Sequence, residues 1–290
     1  MKKWQKRSIP FAVAIIAIAA AAFGIESSSA EKLAARHPLP QNPLAIAPDP
    51  KLAADGARLA HVNDCFSCHG EDLSGGVAFT GWFGTRLVAP NLTRLAHRQS
   101  AAQLAAAIRF GVKPDGTSLV DMPASRFIAD SDSDTAAIVS YLRSLPVKPD
   151  SAGRTRWGFI GRAMLAMGFL PLEADAVDSS RRGPLRTPTA PLALGRYITH
   201  TQCTACHGPD LSGDVSEDSP DLRIAIRHYS LAAFEHFFRT GQGVIGHGTQ
   251  TMTPAIKSQF KYLTDAQVRA IYLYLSQAGT AGRPGPQNSD

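Results

Sequence analysis

The sequence predicts an all-α protein. Two tandem helical units, residues 51–147 and 191–279, are joined by a linker over 148–190 and preceded by an N-terminal segment over 1–30. Three observations carry that expectation. All four cysteines fall in two Cys-x-x-Cys-His motifs, Cys65-Phe66-Ser67-Cys68-His69 and Cys203-Thr204-Ala205-Cys206-His207. The residues after each motif repeat: His69-Gly70-Glu71-Asp72-Leu73-Ser74-Gly75 aligns with His207-Gly208-Pro209-Asp210-Leu211-Ser212-Gly213 at an offset of 138. Further on, 100–111 aligns with 230–241, Gly116 with Gly246 and Met122 with Met252, all at an offset of 130. The change of eight is one deletion between Gly213 and Pro220, opposite a longer first-half loop over 76–89. Between these landmarks apolar residues recur at helical spacing, bounded by capping residues.

The N-terminal segment begins with Lys2, Lys3, Lys6 and Arg7, continues through a largely apolar stretch over 9–25, and reaches the small residues Ser28-Ser29-Ala30. This is the pattern of an export signal cut near Ala30. An uncleaved anchor helix is the alternative, since the stretch is just long enough to span a bilayer. In both cases the remainder is expected outside the inner membrane, in the periplasm. The formal charge of +6 is mostly this segment; without residues 1–30, 26 basic and 23 acidic side chains leave +3. That weakens any case for nucleic-acid binding. With 44% hydrophobic and 19% charged residues the chain is globular rather than disordered or fibrous.

In each unit an opening helix is expected ahead of the cysteines, over 52–63 and 194–201. Ser100 and Ser230 read as N-caps of helices over 101–110 and 231–240, which end at Gly111 and Gly241. A loop then delivers Met122 or Met252. A closing helix follows, over 135–145 with Ile138, Tyr141, Leu142 and Leu145 on one face, and over 265–277 with Val268, Ile271, Tyr272 and Leu275.

Cys-x-x-Cys-His is the spacing of covalent c-type haem attachment. Each thiol adds to one vinyl group, and the adjacent His ligates the iron. A disulfide has no need of the trailing His. A thioredoxin-type motif does not account for two His-Gly copies, and adjacent Cys and His seldom converge on one tetrahedral zinc. The cofactors expected are therefore two covalently bound haem c groups on Cys65, Cys68, His69 and Cys203, Cys206, His207. Apart from Met1 the chain has four methionines, and two of them, Met122 and Met252, share a repeat position. A thioether is a soft sixth ligand that raises the reduction potential. The axial pairs are thus expected to be His69/Met122 and His207/Met252, with His247 a nearby competitor for the second iron. Pro90-Asn91-Leu92 and Pro220-Asp221-Leu222 occupy matching places, where a Pro carbonyl can fix the tautomer of the ligating His. His61 and His200 are expected at the surface or a haem edge, and His37 in a disordered or solvent-facing entry segment. The apolar stretch 157–170 of the linker is expected either as a strap across both halves or as an interfacial helix on a membrane or partner, with Met164 and Met167 as packing residues.

Two haem motifs, a Met after each and this helical plan resemble the class I c-type cytochrome fold in tandem. Three runs extend the likeness: Ala89-Pro90-Asn91-Leu92-Thr93; Gly111, Gly116 and Met122-Pro123; and Tyr141-Leu142-Arg143-Ser144-Leu145-Pro146. Together they resemble the cytochrome c subunits of membrane-bound sugar and alcohol dehydrogenases. The likeness covers 51–147 well and 191–278 less closely, and it departs from the common form of that group, which carries three haem motifs. The resemblance implies an electron-transfer protein that takes electrons from a redox partner, such as a dehydrogenase, and passes them to a quinone-linked complex or an oxidase. A dihaem redox enzyme, a peroxidase or thiosulfate-oxidising enzyme, is the alternative; it needs one iron whose sixth position opens. A redox or gas sensor would need an output domain, and none is visible in the sequence.

Overall fold

The structure is a computed structural model that describes residues 2–81, 84–244 and 249–281. Gly246, the repeat partner of Gly116, and His247, the expected competitor of Met252, lie outside the described residues. The chain opens with one long helix, α1 (Lys2–Ala34), whose stretch Phe11–Ala34 is long and apolar enough to cross a membrane. The segment after it is laid along the first unit rather than disordered. The His37 amide donates to the Gly116 carbonyl at 2.8 Å, the Ala45 amide to the Asp132 carboxylate at 2.8 Å and the Asp49 amide to Ser140 Oγ at 3.0 Å. The His37 side chain is only 16% exposed and faces Asp175, which corrects the solvent-facing expectation.

The first unit comprises α2 (Ala53–Val62), α3 (Cys65–His69), a hairpin of β1 (Gly76–Thr80) and β2 (Arg86–Ala89), then α4 (Leu92–Arg98), α5 (Ala101–Phe110), α6 (Ala124–Phe127) and α7 (Asp132–Ser144). The hairpin is the departure from a purely helical unit. It forms in the longer first-half loop, where Val77, Phe79, Leu87 and Val88 suit an extended backbone, with a bulge between Val77 and Phe79. α5 has the bounds its caps predict: Ser100 makes a reciprocal capping box with Gln103, and Gly111 closes the helix in the left-handed conformation. α7 starts three residues earlier than expected because Ser131 accepts from the Asp134 amide.

The linker carries α8 (Phe159–Met167) and α9 (Glu173–Ala176). Among the described residues its hydrogen bonds run to the first unit and to α1 rather than across both halves. Asn91 donates to the Lys148 carbonyl, Ser151 to the Gly75 carbonyl, and the Glu173 and Gly183 amides to Leu119 and Ile128. α8 packs on the end of α1. Met164 and Met167 are 37% and 62% exposed, so they face outward and are not core packing.

The second unit repeats the plan with α10 (Pro191–Gln202), α11 (Thr204–His207), α12 (Leu222–Ala225), α13 (Leu231–Thr240), α14 (Thr249–Ser258) and α15 (Asp265–Ala281). In both units the opening and closing helices cross at a glycine. A Cβ on Gly56 would lie 1.9 Å from the Ala137 carbonyl oxygen, and one on Gly195 would lie 1.9 Å from that of Ala270. Contact this close admits no side chain.

The units meet through their opening helices. The Gln202 side-chain amide donates to Asn63 Oδ1 at 3.2 Å, and both residues are buried. They are equivalent by the repeat once Asp64, an extra residue in the left-handed conformation, is set aside. Arg58 donates to Gln267 at 3.0 Å, and the equivalent Tyr197 donates to Asp134 at 2.8 Å. Equivalent residues pairing in this reciprocal way mark a local two-fold relation between the units. Val62 of α2 completes the core of the second unit. His61 lies between the rings of Phe66 and Tyr262, 4.0 Å from each, at the domain interface rather than the surface.

Candidate functional site

Each Cys-x-x-Cys-His motif falls on a short helical turn, wholly within α3 in the first unit and on α11 with Cys203 as its N-cap in the second, placed by the turn that follows. The Gly75 amide donates to the His69 carbonyl and the Gly213 amide to the His207 carbonyl, both at 2.9 Å. Leu73 and Leu211 both adopt left-handed φ, 60° and 64°. Their carbonyls accept from the Leu92 and Leu222 amides at 2.9 Å. Asn91 and Asp221 cap the helices that start there. The preceding prolines are thereby fixed beside the histidines: Pro90 O accepts from His69 Nδ1 at 2.8 Å, and Pro220 O accepts from His207 Nδ1 at 2.9 Å.

These carbonyls dictate the tautomer. With Nδ1–H engaged, the Nε2 lone pair of each ring is left for an electrophile. Both histidines are buried. Burial lowers their pKa, and the Pro carbonyl opposes that only partly, so the rings are neutral, as ligation requires. Burial likewise pushes the Cys65 and Cys203 thiols up to about 12, with the Arg126 charge pulling against it in both. Cys206 is raised too, again by burial first. These are protonated thiols in an apolar setting and not reactive thiolates.

In the second unit the structure brings the expected residues together. Cys203, Cys206, His207 and Met252 line one cavity of about 460 Å³, with Phe234, Phe237, Phe238 and Phe260 forming much of its wall. That volume falls within the roughly 300–1,000 Å³ of cofactor sites. Met252 does not sit in a loop as expected; it lies on α14 and packs on the second core. One lining residue, Arg126, comes from α6 of the first unit. Its Nη2 donates to Gln202 Oε1 at 2.8 Å, while its Nε is buried with no partner. An apolar wall, a free imidazole Nε2, two thiols and an orphaned cationic donor fit a haem, which is flat, apolar on its faces and carries carboxylates.

In the first unit Cys65, Cys68 and His69 lie on α3, Cys65 packs on the local core, and Met122 is half-buried between α5 and α6. Their convergence on one centre rests on the repeat. Sequence reasoning missed Arg126, Gln202 and Asn63. Polar residues beside a motif look like surface, and only the interface buries them.

The cytochrome c family model matches residues 53–146 and 192–279, more than half of the chain. The chain is 28% identical to the protein named alcohol dehydrogenase (quinone), cytochrome c subunit, of Gluconacetobacter polyoxogenes, over 86% of this chain and 60% of that one. The protein of the same name from Komagataeibacter europaeus gives the same figures. The fructose dehydrogenase cytochrome subunit of Gluconobacter japonicus is 25% identical over 79% of this chain and 53% of its own length. The chain thus spans between half and two thirds of the length of these relatives.

Proposed function

Because this chain belongs to the cytochrome c family, we propose that it is a periplasmic dihaem electron-transfer protein. Its donor is a dehydrogenase and its acceptor a quinone-linked complex or an oxidase. The observation that carries this reading is the second cavity, where Cys203, Cys206, His207 and Met252 surround one apolar space. Bound haem supplies one-electron exchange at iron. The chain supplies the rest. Cys65, Cys68, Cys203 and Cys206 would hold the groups covalently, His69 and His207, their tautomer set by the Pro carbonyls, would ligate the irons, and Met122 and Met252 would complete the ligand sets. The aromatic wall excludes water. Cys206 is exposed, which puts the rim of the cavity where a partner can dock.

Retention of α1 as a membrane anchor is part of the proposal. Its end is docked on α8: Arg162 pairs with Glu26 at 2.9 Å and donates to buried Ser29, and Lys32 donates to the Leu165 and Ala166 carbonyls. A cut after Ala30 would sever the first two. Exposed Phe159, Met164 and Met167 flank this joint and suit a bilayer surface.

The test is a haem count on acid-acetone-treated protein, where thioether-linked haem survives extraction, followed by carbon monoxide binding to the reduced form. Two retained haems with slow, fractional carbon monoxide uptake and negligible peroxide turnover are expected. Rapid stoichiometric uptake at one haem, with peroxide-dependent oxidation of a donor, would favour the redox enzyme.

A further inference from the structure

Arg126, on α6 of the first unit, reaches across to line the cavity of the second. By the register of the closing helices and the phenylalanines before them, Phe127 and Phe260, its equivalent in the second unit is Gln259, which lines the cavity of its own unit. The repeat therefore places Arg126 at the wall of the first site, and the structure places it on the wall of the second. It is held there by a buried polar chain that links the two attachment turns. Arg126 donates to Gln202, the residue before Cys203. Gln202 donates in turn to Asn63, two residues before Cys65.

We propose that Arg126 is one inter-unit cation shared by both haem sites, which raises the reduction potential of each. The inference rests on the dihaem reading above. The physical reason is simple. Reduction removes one positive charge from each iron centre, so a fixed cation nearby favours the reduced state, and partial burial keeps solvent and salt from screening it. The unpartnered Nε of Arg126 gives a haem carboxylate a donor to meet. Arg126 pulls against burial at the Cys65 thiol on one side and at the Cys203 thiol on the other. The neighbouring Asp130 carboxyl, which burial pushes up to about 7, leaves that cation largely uncompensated in mild acid. The second unit has no cation of its own at this place, since Gln259 is neutral; the first unit lends it one.

The test is a spectroelectrochemical titration of the intact two-haem protein at pH 6, comparing wild type with Arg126→Gln and Arg126→Lys. In Arg126→Gln both midpoint potentials should fall, each by about tenfold in the oxidised-to-reduced ratio, ~59 mV for a one-electron couple. Arg126→Lys should recover most of both shifts. A shift at one centre only, no shift, or an equal loss in the Lys variant would overturn the proposal. Should Arg126→Gln not assemble, Gln202→Leu keeps the cation but frees it, and both potentials should fall by a smaller amount; unchanged potentials there also overturn it. Wild type itself separates the two readings, because failure to titrate as two one-electron centres would reject the dihaem reading and not the role of Arg126.

Discussion

Arg109 of α5 and Arg239 of α13 occupy the same place in the repeat, and each pairs with the first residue of its closing helix, Asp132 or Asp265. Arg109 and Asp132 are 0% and 2% exposed; Arg239 and Asp265 are 35% and 72% exposed. The sequence makes the same ion pair twice, and its surroundings decide what it is worth. The first pair is roofed by chain that the second unit lacks. Pro43 and Ala45 from the entry segment and Arg182 from the linker all bond to it. Arg109 also satisfies the carbonyls of Ile128 and Asp130. The Asp132 carboxyl is pushed up by burial, but the Ala45 amide and Arg109 outweigh that and hold it low. The second unit is held instead by aromatic packing, with Phe234, Phe237 and Phe238 of α13 against Phe260 and the closing helix.

The largest expected effect breaks this contrast directly. Arg109→Met leaves the buried Asp132 carboxylate to the Ala45 amide and the partly exposed Arg182, also removes a donor from the Ile128 and Asp130 carbonyls, and should cost about 3–5 kcal/mol. Arg239→Met removes an exposed pair and should cost about 0–1 kcal/mol. Denaturant unfolding of both variants measures the difference, and similar losses would mean that the roof over the first pair does not matter.

A middle-sized effect lies at Asp130, buried where the second unit has the buried Leu263. Desolvation first, and then repulsion by Asp134, raise its carboxyl from 3.8 to about 7, against the attraction of Arg126 and Arg109. The folded state therefore holds a proton that the unfolded state releases. The stability this gives is fully present below about pH 4 and is lost as pH rises through about 7. Asp130→Asn should remove that decline, so the stability difference between wild type and variant should change across this window and level off above it. A difference that does not vary with pH would show that Asp130 is ionised throughout.

The smallest effect compares the caps. Ser100 has a reciprocal partner in Gln103, whereas Ser230 has Ala233 at that place and only the single bond to its amide. Ser100→Ala should cost about 1 kcal/mol and Ser230→Ala somewhat less. Thermal melts of the pair resolve the order.

Much of the scaffold was legible because it is local. The caps at Ser100, Gly111, Ser230 and Gly241 are satisfied within one helical turn, so helices α5 and α13 have the bounds the residues predict. The Cys-x-x-Cys-His turns and the prolines beside them are also short-range chemistry, and the Pro90 and Pro220 carbonyls meet the histidines as their matching places suggest. What depends on distant chain was not legible. Whether an arginine at a repeated position is buried, whether His37 and His61 are covered, and whether Gln202 faces water or Asn63 are set by segments distant in the chain or by the other unit. The sequence by itself determined two Cys-x-x-Cys-His turns and the helices around them, because spacing and capping act along the chain. Only the tertiary structure decided that the linker braces the first unit, that Gln202 and Asn63 join the two motif-bearing turns across the interface and that Arg126 stands at it, because burial is a property of the whole packing and not of any residue's neighbours in sequence.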